Sequence, residues 1–394
     1  MRGPLSPSVG RVSSHRIRIG ISGWRYPPWR GVFYPAGLPQ RRELEYASHC
    51  VDTVEINGSF YSLQRPSSYR AWALQTPEDT VLAVKGGRFI THLKKLRDVD
   101  TGLANFFASG PLALGHRLGP FLWQLSPRLG YDRDRLEDFF GRLPRTVGQG
   151  ARLAEGHDDR LHEPAWTGPG PEPDRPLRHV LEVRHPSFAD NAELLEVLRR
   201  HEIGIVVADT AGLWPFYDAV TAPVVYVRLH GDTELYTSGY GEEALRVWAD
   251  RIRRWAEEAE VLVYFDNDAK VHAPHDAMRL ADLLGVTPPT RSPGARRPQS
   301  RPRERAASGA AGLAEHLLEE DHRQKDRRDE DERPDDERRD EPRRQSLEPH
   351  PVGEGARDEE TDERRHEGDT AAQRRGVLDR HLDDEGPEQG LDGG

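Results

Sequence analysis

Cysteine is almost missing from this chain: its 394 residues hold one, Cys50. That excludes an intramolecular disulfide and any zinc site built from several thiolates, and leaves Cys50 the role of a small buried residue at a helix end. No apolar run reaches the length of a membrane span. The opening stretch MRGPLSPSVGRVSSHR also lacks the apolar segment of a secretory leader. A cytoplasmic protein without a membrane partner is the expectation. Neither a Walker motif nor GxGxxG occurs, and Gly86 and Gly87 of KGGR read as a tight turn, so no nucleotide or other cofactor is expected.

A broad basic surface is missing too. The formal net charge is -11, and most of that excess lies beyond Arg291, where about 30 acidic residues face about 21 basic ones. The rest of the chain is close to electroneutral, which argues against non-specific nucleic-acid binding and against attachment to a membrane by charge. The same C-terminal stretch holds almost no aromatic and few β-branched residues, and clusters such as DRRDEDERPDDERRDEPRR alternate in sign. Such a segment buries too little apolar surface to fold alone. The expected organisation is a disordered segment over 1–16, one folded domain over 17–287 and a disordered charged tail over 288–394.

Eight short apolar runs occupy the folded part: Ile17 to Gly23, Thr53 to Gly58, Val81 to Gly87, Phe121 to Leu125, Val180 to His185, Gly204 to Thr210, Val224 to Gly231 and Val261 to Asp268. Most are separated by helical patterns, among them Gln40 to Cys50, Asp132 to Leu143, Asn191 to His201 and Glu242 to Glu260. Strands alternating with helices imply parallel βαβ units, and eight of them suit a TIM-type (β/α)8 barrel, the α/β fold expected here. A doubly wound open sheet uses the same local pattern. Two connections are irregular: 148–178 reads as a Gly/Pro-rich insertion, and the link after Thr210 has room for only a short helix.

Side chains alternate across a strand, so parity assigns each residue to the barrel interior or to the helix side. With Val54, Ile56, Leu82, Val84, Leu181, Val183, Val206, Ala208, Val225, Val227 and Leu229 on the helix side, Thr53, Glu55, Asn57, Lys85, Glu182, Arg184, Asp209, Tyr226, Arg228 and His230 point inward. Charges in a barrel interior are costly unless paired or used, and barrel enzymes place their chemistry at the C-terminal ends of strands. The competing account is a self-satisfied network of three carboxylates and three cations.

Lys85, Arg184 and Arg228 suit a phosphate or carboxylate, and Glu55, Glu182, Asp209 and His230 are the candidate acids and bases. Glu182, Asp209, His230 and Asp266 form an alternative set for a divalent metal, weakened by the neighbouring cations. Trp24, Tyr26, Trp29, Phe33, Tyr34, Phe60 and Tyr61 crowd the first two strand-to-helix links, either as a hydrophobic lid or as a stacking surface for a ring. His92 falls beyond the third strand. His185, before Pro186, leaves its strand to cap or orient the following loop.

IGISGWRYPPWRGVFYP, VDTVEINGSFYSLQRP, VLAVKGGRFITHLKKL, LGPFLWQLSP, LEVRHPSF, VYVRLHG and YFDND occur in this order between Ile17 and Gly285. This series resembles the YecE-like family, a widespread bacterial and archaeal domain of unknown function. The resemblance implies a TIM-type barrel. Its matching positions include Trp24, Glu55, Asn57, Lys85, His92, Gln124, Glu182, Arg184, Arg228, His230 and Asn267, but it supplies no reaction. The chain departs from the pattern at QLSP, where a second proline is usual, and at Asp266, where an asparagine is usual.

The expected activity is therefore acid/base chemistry on a small anionic molecule, phosphorylated or carboxylated and carrying a ring. Asn57, Gln124, Asn267, Trp24 and His92 join the three cations as substrate contacts. Two alternatives stand beside it: a non-catalytic ligand-binding or adaptor protein whose tail recruits a protein partner, and a metal-dependent hydrolase or isomerase.

Overall fold

A computed structural model describes residues 17–161 and 163–286, and the expected disordered segments 1–16 and 288–394 lie outside them. Eight parallel strands close into a barrel in sequence order: β1 Ile17–Ser22, β2 Thr53–Ile56, β3 Val81–Lys85, β4 Leu118–Gln124, β5 His179–Glu182, β6 Ile203–Asp209, β7 Val224–Leu229 and β8 Glu260–Phe265. Closure is made by β1 against β8, in a register that sets Ile17 beside Val261 and Ile21 beside Phe265. The open-sheet alternative is thereby excluded. β4 starts earlier than its apolar run because Gly119 and Pro120 sit in a register shift opposite β3, where a proline without an N–H is tolerated.

Around the barrel run α1 Glu43–Ser48, α2 Gly58–Tyr61, α3 Pro66–Gln75, α4 Asp100–Ala108, α5 Arg133–Arg142, α6 Val147–Ala154, α7 Ala192–Arg200, α8 Glu242–Trp255 and α9 His272–Leu284. Their starts follow from local chemistry. The side chains of Asp132, Thr146 and Asn191 accept from the backbone N–H groups of Arg135, Gln149 and Leu194, satisfying donors that the first helical turn leaves open. α8 ends at Trp255, short of the expected Glu260, because Glu260 already pairs with Val224 in the sheet. No helix occupies the link between β6 and β7. There the chain turns through positive φ at Ala211 and Gly212.

Two apolar layers form. Odd and even positions separate a large layer between barrel and helices, with Ile19, Ile21, Val54, Val84, Trp123, Leu181, Val227 and Val263, from a small one inside, with Val81, Ala83, Leu122, Val180, Val206, Ala208, Tyr226, Leu262 and Tyr264. Inside, β1 offers Gly20, whose absent Cβ would lie 1.7 Å from the Thr53 carbonyl oxygen. Glycine is required there by the approach of β2.

The parity of β6 corrects one expectation. Val206 and Ala208 face the interior, and Ile203, Ile205 and Val207 face the helices, so Asp209 belongs to the helix side. Both faces of this strand are apolar, and in a strand buried on both sides the hydrophobic pattern carries no information about which residue points inward.

Candidate functional site

The polar interior is built in tiers along the barrel axis. At the lowest, Thr53 donates to the Val81 carbonyl and shares a 2.7 Å hydrogen bond with the Tyr264 hydroxyl, while Tyr264 stacks on Tyr226 at 4.5 Å between centroids. Above them Glu55 receives the Tyr226 hydroxyl at 2.6 Å and the Ser22 hydroxyl at 2.6 Å. Arg228, fully buried, fills the centre. It donates to both oxygens of Glu55 at 2.8 and 3.1 Å, to Glu182 Oε2 at 2.9 Å, to Asp266 Oδ2 at 3.0 Å and to Ser22 Oγ at 3.1 Å. A guanidinium has five N–H donors, and these contacts engage all three of its nitrogens.

Arg228 was expected to grip an anion. The structure corrects this, because its positive charge is already surrounded by three carboxylates and its nitrogens are buried against them. In this tier the cation is taken up by the carboxylates around it.

Glu182, on β5, links that tier to the mouth. Its Oε1 accepts from Gln124 Nε2 at 3.1 Å and Arg184 Nε at 2.8 Å, and its Oε2 from Gln124 at 3.1 Å as well as from Arg228. Burial alone would raise the Glu182 carboxyl, but the Arg184, Arg228 and Lys85 charges outweigh it and hold it well below the usual carboxylate range. Arg184 and Arg228 resist burial in the same way, held protonated by the carboxylates beside them.

Three further groups complete the mouth. The Arg184 guanidinium lies 3.7 Å from the ring centroid of Trp214, and Lys85 Nζ lies 4.4 Å from that of Phe60. His230, fully buried, meets the rings of Trp214 and Tyr236 edge to face. Its Nδ1 stands 3.0 Å from Asp266 Oδ2, out of line for a hydrogen bond, and its Nε2 is 3.5 Å from Arg228. Burial and the Arg228 charge push His230 down against the pull of Asp266, so the imidazole is neutral at pH 7.

The other expected residues divide. Asn57 hydrogen-bonds Ser22 Oγ at 3.0 Å and so belongs to the network. His92, on a π-helical turn at Phe89–Leu93, sets its ring edge-on to Phe60 at 5.1 Å. Asn267 serves the scaffold instead: it bonds the Ser238 carbonyl and Asp276, which in turn accepts from the Tyr240 N–H. Trp24 is buried against Trp72 of α3, and Trp29, Phe33 and Tyr34 pack on one another, the arrangement expected of a hydrophobic lid. His185 accepts from the Ser187 N–H and caps its turn as expected. Cys50 is half-buried just beyond α1.

Asp209 accepts the Tyr240 hydroxyl at 3.0 Å. Burial raises its carboxyl, with Asp232 adding to the effect. The metal set of Glu182, Asp209, His230 and Asp266 does not fit a cation: Arg228 contacts three of them, the fourth points elsewhere, and no metal-binding cluster of three such residues occurs among the described residues. Sequence reasoning missed Ser22, Trp214 and Tyr236. Ser22 shares the inward parity of Gly20 and was findable by that rule; Trp214 and Tyr236 come from loops without periodicity.

No helix among the described residues is long and apolar enough to cross a membrane. A family model described as a protein of unknown function, DUF72, matches residues 18–302. The UPF0759 protein YecE of Escherichia coli is 24% identical over 297 residues, covering 69% of this chain and 94% of that protein. Among solved structures, a DUF72 family protein of Thermotoga maritima matches with a TM-score of 0.55 and 24% identity, over 69% of this chain and all of that one. A DUF72 family protein of Enterococcus faecalis matches with a TM-score of 0.52 and 17% identity, over 70% of this chain and 99% of that one.

Proposed function

This chain belongs to the DUF72 family, whose function is unknown, and we propose from its site that it is an enzyme acting on a small anionic, ring-bearing substrate at the C-terminal mouth of the barrel. The observation that carries this reading is the state of Arg184. Its Nε is held by Glu182, its face rests on Trp214, and among the described residues its two terminal nitrogens have no hydrogen-bond partner. A guanidinium positioned this way presents a planar fork to a phosphate or carboxylate. Lys85, held over Phe60, adds a second positive charge.

Proton exchange falls to His230, the neutral base beside Glu182 and Asp266. Glu182 and Glu55, each saturated with donors, orient the cations instead of accepting the substrate proton. That saturation also favours a second reading, a protein that holds the same anion without converting it.

Inorganic phosphate and phenyl phosphate are the first probes. Either one should raise the melting temperature of the wild type in a dose-dependent way, and Arg184→Met should abolish the rise. No rise in the wild type, or one that survives in Arg184→Met, overturns the anion site. Product analysis by NMR over a panel of phosphate monoesters and ring carboxylates then separates the two readings. Turnover that His230→Gln abolishes while binding persists supports the enzyme, and binding without turnover across the panel supports the carrier.

A further inference from the structure

A cavity lies between α8 and the segment that follows β6. Its volume is about 440 Å³, within the usual range for small-molecule sites. Three aromatic rings wall it: Trp214, Phe216 and Trp248. Phe216 is 44% exposed, and the neighbouring Leu213 and Val247 are 45% and 46% exposed, so apolar surface is left open around this cavity.

Two carboxylates, Asp209 and Asp232, also face it. Asp209 is held by a neutral partner, the Tyr240 hydroxyl, and among the described residues neither aspartate forms an ion pair. Arg251 is the one cation in the lining, and it does not neutralise them. Its guanidinium lies over Phe216 at 5.3 Å and over Trp248 at 5.0 Å, and it pairs with no carboxylate among the described residues. The rings thus already accept a cation on their faces, while the two negative charges remain without a counter-ion.

We propose that this cavity is a binding site for an organic ammonium ion with a compact apolar body, held by cation–π contact with Trp214 and Phe216 and by charge with Asp209 and Asp232. Aromatic faces attract a cation through their quadrupole, and an alkylated ammonium carries both the charge and the apolar surface that the lining calls for. A simple metal cation would leave the aromatic walls unused, and a neutral apolar molecule would leave the carboxylates uncompensated. The site adjoins the anion site, with Asp209, Asp232 and Phe216 belonging to it alone. Trp214 contributes to both, with Arg184 on its ring.

Choline is the probe, with its neutral carbon isostere, in which a tert-butyl group replaces trimethylammonium, as the control. Choline should raise the melting temperature and change tryptophan fluorescence in a saturable way at constant ionic strength, and the isostere should do neither. Asp232→Asn and Phe216→Ala change exposed side chains, and each should weaken choline binding about fivefold or more while leaving the phosphate-induced shift intact. An equal response to the isostere, a choline response matched by sodium, or undiminished choline binding in both variants overturns the proposal.

Discussion

The Arg228 guanidinium and the Glu55 carboxylate meet edge to edge inside the barrel, Nε 3.1 Å from Oε2 and a terminal nitrogen 2.8 Å from Oε1, with both side chains out of contact with water. Glu182 and Asp266 complete a ring of negative charge around the same cation. Removing one partner of a buried pair leaves uncompensated charge, at a typical cost of about 3–5 kcal/mol. Arg228→Met strands three carboxylates together, so its unfolding free energy from urea titration should fall by that order, and it should recover part of the loss as pH is lowered and the carboxylates take up protons. Wild-type stability in Arg228→Met would show that the network contributes nothing to the fold.

Packing at the interior of β1 makes a sharper demand. An alanine at position 20 places its Cβ against backbone at 1.7 Å, which only a shift of β1 or β2 relieves, and overpacking of this kind costs on the order of 3 kcal/mol. Gly141, within α5, has nothing within 4 Å of its missing Cβ. Gly141→Ala should stabilise by about 0.5–1 kcal/mol through helix propensity alone. Denaturation of the two variants side by side checks both signs.

His179 gives the fold a defined acid sensitivity. Its Nδ1 accepts from Trp123 Nε1 at 3.1 Å, so the proton sits on Nε2, which donates to the Pro144 carbonyl at 2.8 Å. Burial pushes the imidazole down to about 3, with the nearby Arg145 assisting against the pull of that carbonyl. The folded state therefore keeps the ring neutral while the unfolded chain protonates it near 6.5. The contribution is complete above about pH 6.5 and is lost progressively as pH falls toward 3. His179→Gln offers the same donor and acceptor without titrating. Its stability, lower than wild type at pH 7, should fall less steeply between pH 6 and 4; parallel profiles would contradict the assignment.

The barrel was legible because eight apolar runs recur between helical patterns and the motif series agreed with the count, and alternation fixed the parity of β2, β3, β5 and β7. β6 failed because IGIVVAD is apolar on both faces, so Asp209 was set on the wrong side. Site chemistry was legible only as a list of residue types. That Arg228 is consumed by Glu55, Glu182 and Asp266 while Arg184 keeps two nitrogens open depends on side-chain reach across four strands. Spacing along one chain does not encode that difference. Trp214, which orients Arg184, follows two positive-φ residues in a loop that has no period to read.

Asp52 carries the last prediction, at the opposite end of the barrel from the site. Its backbone ties β1 to β3, donating to the Ile19 carbonyl and accepting from the Val81 N–H, while its side chain is 6% exposed and its Oδ2 has no hydrogen-bond partner. Burial raises the carboxyl to about 6, against the opposing effects of the Ile19 backbone and Arg18. Because the folded value lies above the unfolded one, the protonated form favours folding, and that advantage is present below about pH 4 and lost as pH rises through 6. At pH 7 the folded protein holds a poorly solvated charge. Asp52→Asn preserves size and polarity without that charge, so it should be more stable than wild type by about 1–3 kcal/mol at pH 7 and converge with it near pH 4. Urea titrations across that interval test the sign. A variant less stable than wild type at pH 7 would show that the ionised carboxylate finds a partner there.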